Sequence, residues 1–208
     1  QGAMATANVT PLVEMTEVPS QAHPSFRGKR LFLAIELPDY VRQRLSELRE
    51  EPLKGFHWVP EERFHLTLKF IGDFPGQYQP RVEAALDPIE VHSFLLPIES
   101  LGSFPAKGSP HAVWAGVANG HPRLFQLQKR IEDALFNIGI EPERRIYQPH
   151  ITVARVNHAS PETVRQYLKR HKEFATAPFK VEAFHLFRSE QTNGQRSYTC
   201  ERTWPLLD

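Results

Sequence analysis

The chain has one cysteine, Cys200, in 208 residues. A lone thiol excludes an internal disulfide framework and a multi-cysteine zinc site. Long apolar runs are missing too: no stretch approaches the ~18 residues that span a bilayer. Charge of one sign is also lacking, since 25 Lys and Arg face 24 Asp and Glu for a net charge of +1. A protein that coats long nucleic acid is therefore not expected, although a local phosphate site is compatible with this balance. Proline is in excess, with 18 residues against the roughly 10 that a usual ~5% would supply, which calls for frequent breaks and short elements. A chain of this length buries about 70% of its unfolded surface, enough for a core without staples.

Gln1-Gly2-Ala3-Met4 reads as a protease-cleavage and cloning scar, with Met4 as the native start. Residues up to 27 carry Thr10, Pro11, Thr16, Pro19, Ser20, Pro24 and Ser25 with little apolar periodicity, the composition of a tail. No compact apolar segment follows a basic start, so a secretory signal is not expected and the reducing cytoplasm is the default location. This gives a tail over 1–27 and one domain over 28–208.

Apolar spacing predicts a strand at Arg30–Glu36 and a helix behind Pro38 carrying Val41, Leu45 and Leu48. A strand follows at 64–71, with Leu66, Leu68 and Phe70 on one face and His65, Thr67 and Lys69 on the other. Val82, Ala85, Leu86 and Ile89 mark a second helix. Residues 94–101 and 112–117 are strand-like, and Leu124, Leu127, Ile131, Leu135 and Ile138 give the clearest helix, stopped by Gly139. A strand at 151–156 precedes a helix announced by Ser160-Pro161-Glu162, with Val164 and Leu168 behind it. Strands at 181–187 and 198–204 are joined through the hairpin signal Asn193-Gly194. Frequent hairpin-like neighbours favour an α+β fold with antiparallel or mixed sheets over a doubly wound parallel one.

One pattern occurs twice. His65-Leu66-Thr67-Leu68 returns 85 positions later as His150-Ile151-Thr152-Val153. Residues i and i+2 of a strand point the same way, so each strand delivers one imidazole and one hydroxyl side by side. A single copy means little; two copies in the two halves of the chain point to a pseudo-symmetric protein with a shared cleft. Two imidazoles with ordinary pKa values near 6.5 can act as acid and base at neutral pH, and two hydroxyls can donate to anionic oxygens. In-line displacement at phosphorus places the nucleophile and the leaving group on opposite sides, which suits a two-fold arrangement. No Asp or Glu stands at ligand spacing from either histidine, so no metal site and no cofactor is expected.

The chain resembles the two-histidine (2H) phosphoesterase superfamily, and within it the RNA 2′,3′-cyclic phosphodiesterases once called 2′-5′ RNA ligases. The resemblance spans 29–204 and rests on Arg30-Leu31-Phe32-Leu33-Ala34-Ile35, on Trp58-Val59-Pro60 leading to His65-Leu66-Thr67-Leu68-Lys69-Phe70-Ile71-Gly72, on Val113-Trp114-Ala115-Gly116, and on Tyr147-Gln148-Pro149-His150-Ile151-Thr152-Val153-Ala154-Arg155. It implies two lobes, each an antiparallel sheet with outer helices, facing across a cleft. It also implies His65 as proton donor to the leaving ribose oxygen, His150 as proton acceptor from water, and Thr67, Thr152 and Arg155 as phosphate-binding residues. The implied substrates are RNA ends or nucleotides bearing a 2′,3′-cyclic phosphate, with no membrane and no obligate protein partner. Arg155 is three residues beyond Thr152, so a regular strand would turn it away; a bulge or the strand end has to re-aim it.

Other residues are weighed individually. Tyr147 lies beside the second motif and is a candidate for stacking on a base, whereas Trp58 and Phe64 read as core or cleft wall. Lys69 shares the parity of His65 and Thr67, which fits either a phosphate contact or a solvated strand end. His23, His57, His92, His111, His121, His158, His171 and His185 have no partner motif and read as surface or structural residues. Cys200 reads as a small buried apolar residue. The same cleft would also serve the reverse reaction, joining RNA ends through a 2′-5′ bond, or a non-catalytic RNA-end binding module; turnover of 2′,3′-cyclic AMP separates the module from the enzymes.

Overall fold

In the computed structural model the described residues are 29–117 and 121–208. The tail predicted over 1–27 lies outside them. The elements run β1 (Lys29–Glu36), α1 (Asp39–Ser46), β2 (Phe56–Trp58), β3 (His65–Phe74), α2 (Gln79–Leu86), β4 (Phe94–Leu96), β5 (Leu101–Phe104), β6 (Ala112–Gly116), α3 (Pro122–Phe136), β7 (His150–Val156), α4 (Pro161–Arg170), β8 (Phe179–Val181), β9 (Ala183–Thr192) and β10 (Gln195–Pro205). They form two four-stranded sheets, ordered β10-β9-β1-β3 and β2-β7-β6-β5, and a two-stranded ribbon β4-β8. Every ladder between these strands is antiparallel. The fold is α+β, as the hairpin-rich pattern predicts.

The repeat is visible in the topology. The series β1-α1-β3-α2 is matched by β6-α3-β7-α4, each an antiparallel strand pair with its connecting helix. The halves also exchange material. β2 leaves the first half to pair with β7, and the C-terminal hairpin β9-β10 returns to complete the first sheet. Asn193 and Gly194 both have positive φ, 52° and 76°, which a two-residue hairpin turn of the twist-matching type requires.

The helices form where the apolar spacing places them. Val41 and Leu45 of α1, Val82 and Leu86 of α2, and Leu124, Leu127, Ile131 and Leu135 of α3 are all buried. Ser160 caps α4 by accepting from the Thr163 amide at 3.1 Å. Tyr167, which the apolar count passed over, is fully buried on α4 and donates its hydroxyl to the Leu48 carbonyl at 2.8 Å. One connected apolar core includes Leu31, Leu33, Leu66 and Leu68 from the first sheet and Val113, Ala115, Ile151 and Val153 from the second. A smaller cluster, Phe32, Ala34 and Phe187 with Tyr198 against it, covers the other face of the first sheet.

Three strand expectations need correction. Residues 181–187 are divided at Glu182 between β8, in the ribbon, and β9, in the first sheet. Residues 94–101 form no single strand: Pro97 interrupts the run and Ser100 turns with φ 69°, so β4 and β5 join different sheets. Cys200 is exposed rather than buried. The ladder between β9 and β10 skips Glu201, pairing Cys200 with Phe187 and Arg202 with Leu186, and this bulge breaks the alternation from which burial was inferred.

Candidate active site

The two repeated motifs stand on β3 and β7. β3 is the edge of the first sheet, and β7 lies between β2 and β6 in the second. A cavity of about 530 Å³ is lined by His65, Thr67, His150, Thr152 and Arg155 together with Phe32, His57, Trp58, Arg63, Phe70, Arg196 and Tyr198. Leu66, Leu68, Ile151 and Val153, the second and fourth residues of the motifs, are buried in the core. The i, i+2 parity thus brings both imidazoles and both hydroxyls to one space.

Each motif strand carries the same irregularity at the same place. On β3, Thr67 pairs with Ala34 and Lys69 with Leu33, so Leu68 has no partner. On β7, Thr152 pairs with Trp114 and Ala154 with Val113, so Val153 has none. The fourth residue of each motif is therefore a bulge, and the bulge resets the parity beyond it. Ala154 is buried and Arg155 emerges on the cleft, which is the re-aiming that the spacing of Arg155 requires. The equivalent step on β3 buries Lys69 and exposes Phe70, whose side chain is 68% accessible on the cavity wall. Both expectations for Lys69 are overturned: its ammonium pairs with Glu132 of α3 at 3.1 Å and donates to the Glu141 carbonyl at 2.9 Å. Phe70, expected in the core with Leu66 and Leu68, belongs to the cleft.

The histidines are held alike. Nδ1 of His65 lies 2.8 Å from the Arg63 carbonyl, and Nδ1 of His150 lies 2.7 Å from the Gln148 carbonyl, two residues back in each case. A carbonyl oxygen only accepts, so Nδ1 carries the hydrogen and Nε2 is the nitrogen left for exchange with a ligand. Aromatic rings back both imidazoles. His65 packs against Phe32 at 4.9 Å and edge-on to Tyr198 at 5.1 Å; His150 packs edge-on to Phe104 at 4.9 Å and lies 6.3 Å from Trp114. The Trp114 indole covers Gly102 and Gly116, where a Cβ would come within 2.2 Å and 2.7 Å of the ring. Burial in this aromatic setting pushes both imidazole pKa values below 6.5. For His65 the charges of His150 and Arg42 push further the same way, against the raising effect of the Arg63 carbonyl.

The structure does not bring Tyr147 to this cavity. Its ring meets Phe125 edge-on at 5.8 Å, and its hydroxyl donates to the Thr67 carbonyl at 2.8 Å. β3 is an edge strand, so this carbonyl gains from a side chain just before the other motif the hydrogen bond that no neighbouring strand supplies. Burial pushes the phenol pKa of Tyr147 up. Phe64 is buried, and Trp58 forms cleft wall while packing on Phe56 and Tyr167. His57, read as a surface or structural residue, is exposed and lines the cavity, because β2 pairs His57 directly with Arg155. Sequence reading also passed over Phe32, Tyr198, Arg30, Arg63 and Arg196. No motif announces them; four come from β1 and the distant C-terminal hairpin. Among the described residues, no three His, Cys, Asp or Glu side chains gather into a group that could hold a metal ion. No helix among them is long and apolar enough to cross a membrane.

A family model described as the 2′-5′ RNA ligase superfamily matches residues 37–193, which include both motifs. The chain belongs to this superfamily. Among its curated relatives is an RNA 2′,3′-cyclic phosphodiesterase of Methanocaldococcus jannaschii, 26% identical over 180 residues, or 84% of this chain and 99% of that one. Another, of the same description from Thermus thermophilus, is 32% identical over 170 residues, 77% of this chain and 82% of the relative. The crystal structure of E. coli LigT in its apo form superposes with a TM-score of 0.71 at 23% identity, covering 86% of this chain and 98% of LigT. At that identity the superposition speaks for the fold alone, which this superfamily member shares with LigT.

Proposed function

We infer that the cleft hydrolyses the 2′,3′-cyclic phosphate ends of RNA or of nucleotides to 2′-phosphates without a metal ion. The observation that carries this reading is the matched presentation of two imidazoles, each with Nδ1 fixed by a backbone carbonyl and Nε2 left for proton transfer, beside one threonine hydroxyl apiece. The names of the curated relatives agree with it.

In this mechanism Nε2 of His150 removes a proton from water as the water oxygen bonds to phosphorus. The bond from phosphorus to the ribose 3′-oxygen breaks on the opposite side, and Nε2 of protonated His65 gives its proton to that oxygen. The product carries a 2′-phosphate and a 3′-hydroxyl. The proton on His150 then returns to solvent and His65 is recharged. Thr67, Thr152 and Arg155 donate to the non-bridging oxygens, whose charge grows in the transition state. Both proton transfers run through imidazoles, and the described residues assemble no ligand set for a metal that would replace either.

One observation favours the opposite assignment of roles. Burial and the charges of His150 and Arg42 all push the proton off His65, whereas on His150 burial is the one lowering influence and the Gln148 carbonyl opposes it. A single substrate series separates the two. Replacing the 3′-oxygen by sulfur gives a leaving group that needs no proton, so it rescues loss of the acid and not loss of the base. His65→Ala and His150→Ala are each expected to lose about 10²- to 10⁴-fold in kcat on the oxygen substrate. His65→Ala is expected to recover on the sulfur substrate; recovery of His150→Ala instead reverses the roles. If EDTA abolishes wild-type turnover and a divalent ion restores it, or if either folded variant keeps more than about a tenth of wild-type kcat, the two-histidine mechanism fails.

A further inference from the structure

Beyond the catalytic pair, the cleft runs on along the first sheet toward Arg30 and Arg196. β1 and β10 bring these two residues to the same end. Arg30 pairs with Ser189 of β9, and Ser189 is the neighbour of Tyr198 on β10. Arg196 donates from its guanidinium to the Ser189 hydroxyl at 2.6 Å, while Arg30 lies 3.8 Å from the Asp73 carboxylate. Arg30, Arg196 and Ser189 all line the cavity that contains His65 and His150. Among the described residues, the lining holds four arginines and three histidines and no carboxylate. That is a large local excess of positive potential in a chain of net charge +1.

The order of groups along the sheet matters as much as the charge. His65 packs on Phe32 and Tyr198, and Phe32 in turn lies 6.0 Å from Phe70. Arg30 is two residues before Phe32 on β1, and Arg196 is two before Tyr198 on β10, about 7 Å along an extended strand in each case. The track therefore reads imidazole and hydroxyl, then an aromatic wall on which Phe70 is the exposed ring, then two guanidinium groups. This is the order of a phosphate, a nucleoside whose base can lie on a ring, and a second phosphate.

We propose that Arg30 and Arg196 form a second phosphate subsite that reads the phosphate on the 5′-oxygen of the terminal nucleoside, so that a strand end, and not a bare cyclic nucleotide, is the preferred substrate. The assignment rests on the reading that the His65–His150 end takes the terminal phosphate. Guanidinium groups suit the task because their fixed fork of donors matches phosphate oxygens. Phe70, backed by Phe32, supplies an exposed face that accepts any base, which makes recognition independent of sequence.

The test uses binding of unreactive products, so it does not depend on turnover. Adenosine 2′-phosphate, adenosine 2′,5′-bisphosphate and the dinucleotide ApA ending in a 2′-phosphate are titrated into the full chain by calorimetry. The wild type is expected to bind at least one of the two ligands with a 5′-side phosphate about 10- to 100-fold more tightly than adenosine 2′-phosphate. Equal gains for the bisphosphate and the dinucleotide identify any 5′-phosphate as the ligand; a gain for the dinucleotide alone identifies the internucleotide phosphate. In Arg30→Gln/Arg196→Gln the ratio is expected to fall to within about threefold of unity, and the slope of log affinity against log salt for the favoured ligand to fall by about one to two. The proposal is overturned if the wild type shows no preference, if the variant keeps it, or if all three ligands weaken in equal proportion. Failure of the hydrolytic reading alone looks different: the binding preference persists while no cyclic substrate turns over.

Discussion

Replacing Lys69 by methionine separates two accounts of β3. Regular alternation puts this lysine on the cleft with His65 and Thr67; the bulge at Leu68 puts it under α3 against Glu132. Its side chain is 6% exposed and that of Glu132 is 14% exposed. Lys69→Met keeps most of the aliphatic volume but strands the carboxylate. Removing one partner of a buried ion pair costs about 3–5 kcal/mol, because the remaining charge is poorly solvated. Glu132 keeps two long hydrogen bonds, from Gln128 and from the Glu143 amide, both at 3.4 Å, and so the low end, about 3 kcal/mol, is the expected loss. At roughly 2–4 °C per kcal/mol for a chain of this size, Tm falls by about 6–12 °C. The companion variant Lys69→Met/Glu132→Leu removes both charges and is expected to regain most of that loss. Thermal melts of the three proteins supply the first readout, and kcat/KM on a 2′,3′-cyclic nucleotide at 25 °C supplies the second. The bulge account requires a large fall in Tm with kcat/KM within about threefold of wild type, well below the loss of one anion-stabilising donor. An unchanged Tm with a tenfold or greater loss of kcat/KM would refute it and return Lys69 to the cleft.

Burial holds the pKa values of His65 and His150 below 6.5, so in the free protein both rings are mostly neutral at pH 7 and the acid must recover its proton. The bell of kcat/KM against pH, which unperturbed histidines would centre on neutrality, is therefore expected to shift so that its alkaline limb falls away below pH 7. The phosphate charge in the complex favours both imidazolium forms, and the kcat profile is expected to lie at higher pH; an alkaline limb of kcat/KM above about pH 7.5 contradicts the burial argument. Tyr147→Phe leaves the Thr67 carbonyl without its hydroxyl donor, at a cost of about 1–2 kcal/mol, or about 2–8 °C in Tm, with product affinity unchanged. An unchanged Tm with weakened nucleotide binding would instead make Tyr147 a ligand contact.

The sequence by itself determined what depends on neighbours in the chain. Helical spacing located α1, α2, α3 and α4, Ser160 announced its own cap, and the i, i+2 parity of His65 and Thr67, and of His150 and Thr152, put each imidazole beside its hydroxyl. The need for a bulge before Arg155 could also be read, because three residues cannot return a side chain to the same face of a regular strand. The consecutive apolar pair Val153-Ala154 is the local trace of that bulge. On β3 the corresponding trace is hidden, since Leu68-Lys69 reads as ordinary alternation, and Lys69 and Phe70 were each assigned to the wrong face. Only the tertiary structure decided them, because a bulge is a mismatch between two ladders and appears only when β1 is laid beside β3. Cys200 follows the same logic on β10. The arginines at the far end of the cleft were equally illegible: Arg30 and Arg196 are separated by most of the chain and meet because β9 pairs with both β1 and β10. Periodicity carries the direction of a side chain within its own strand, whereas register, and every contact that register creates, is a property of two strands at once.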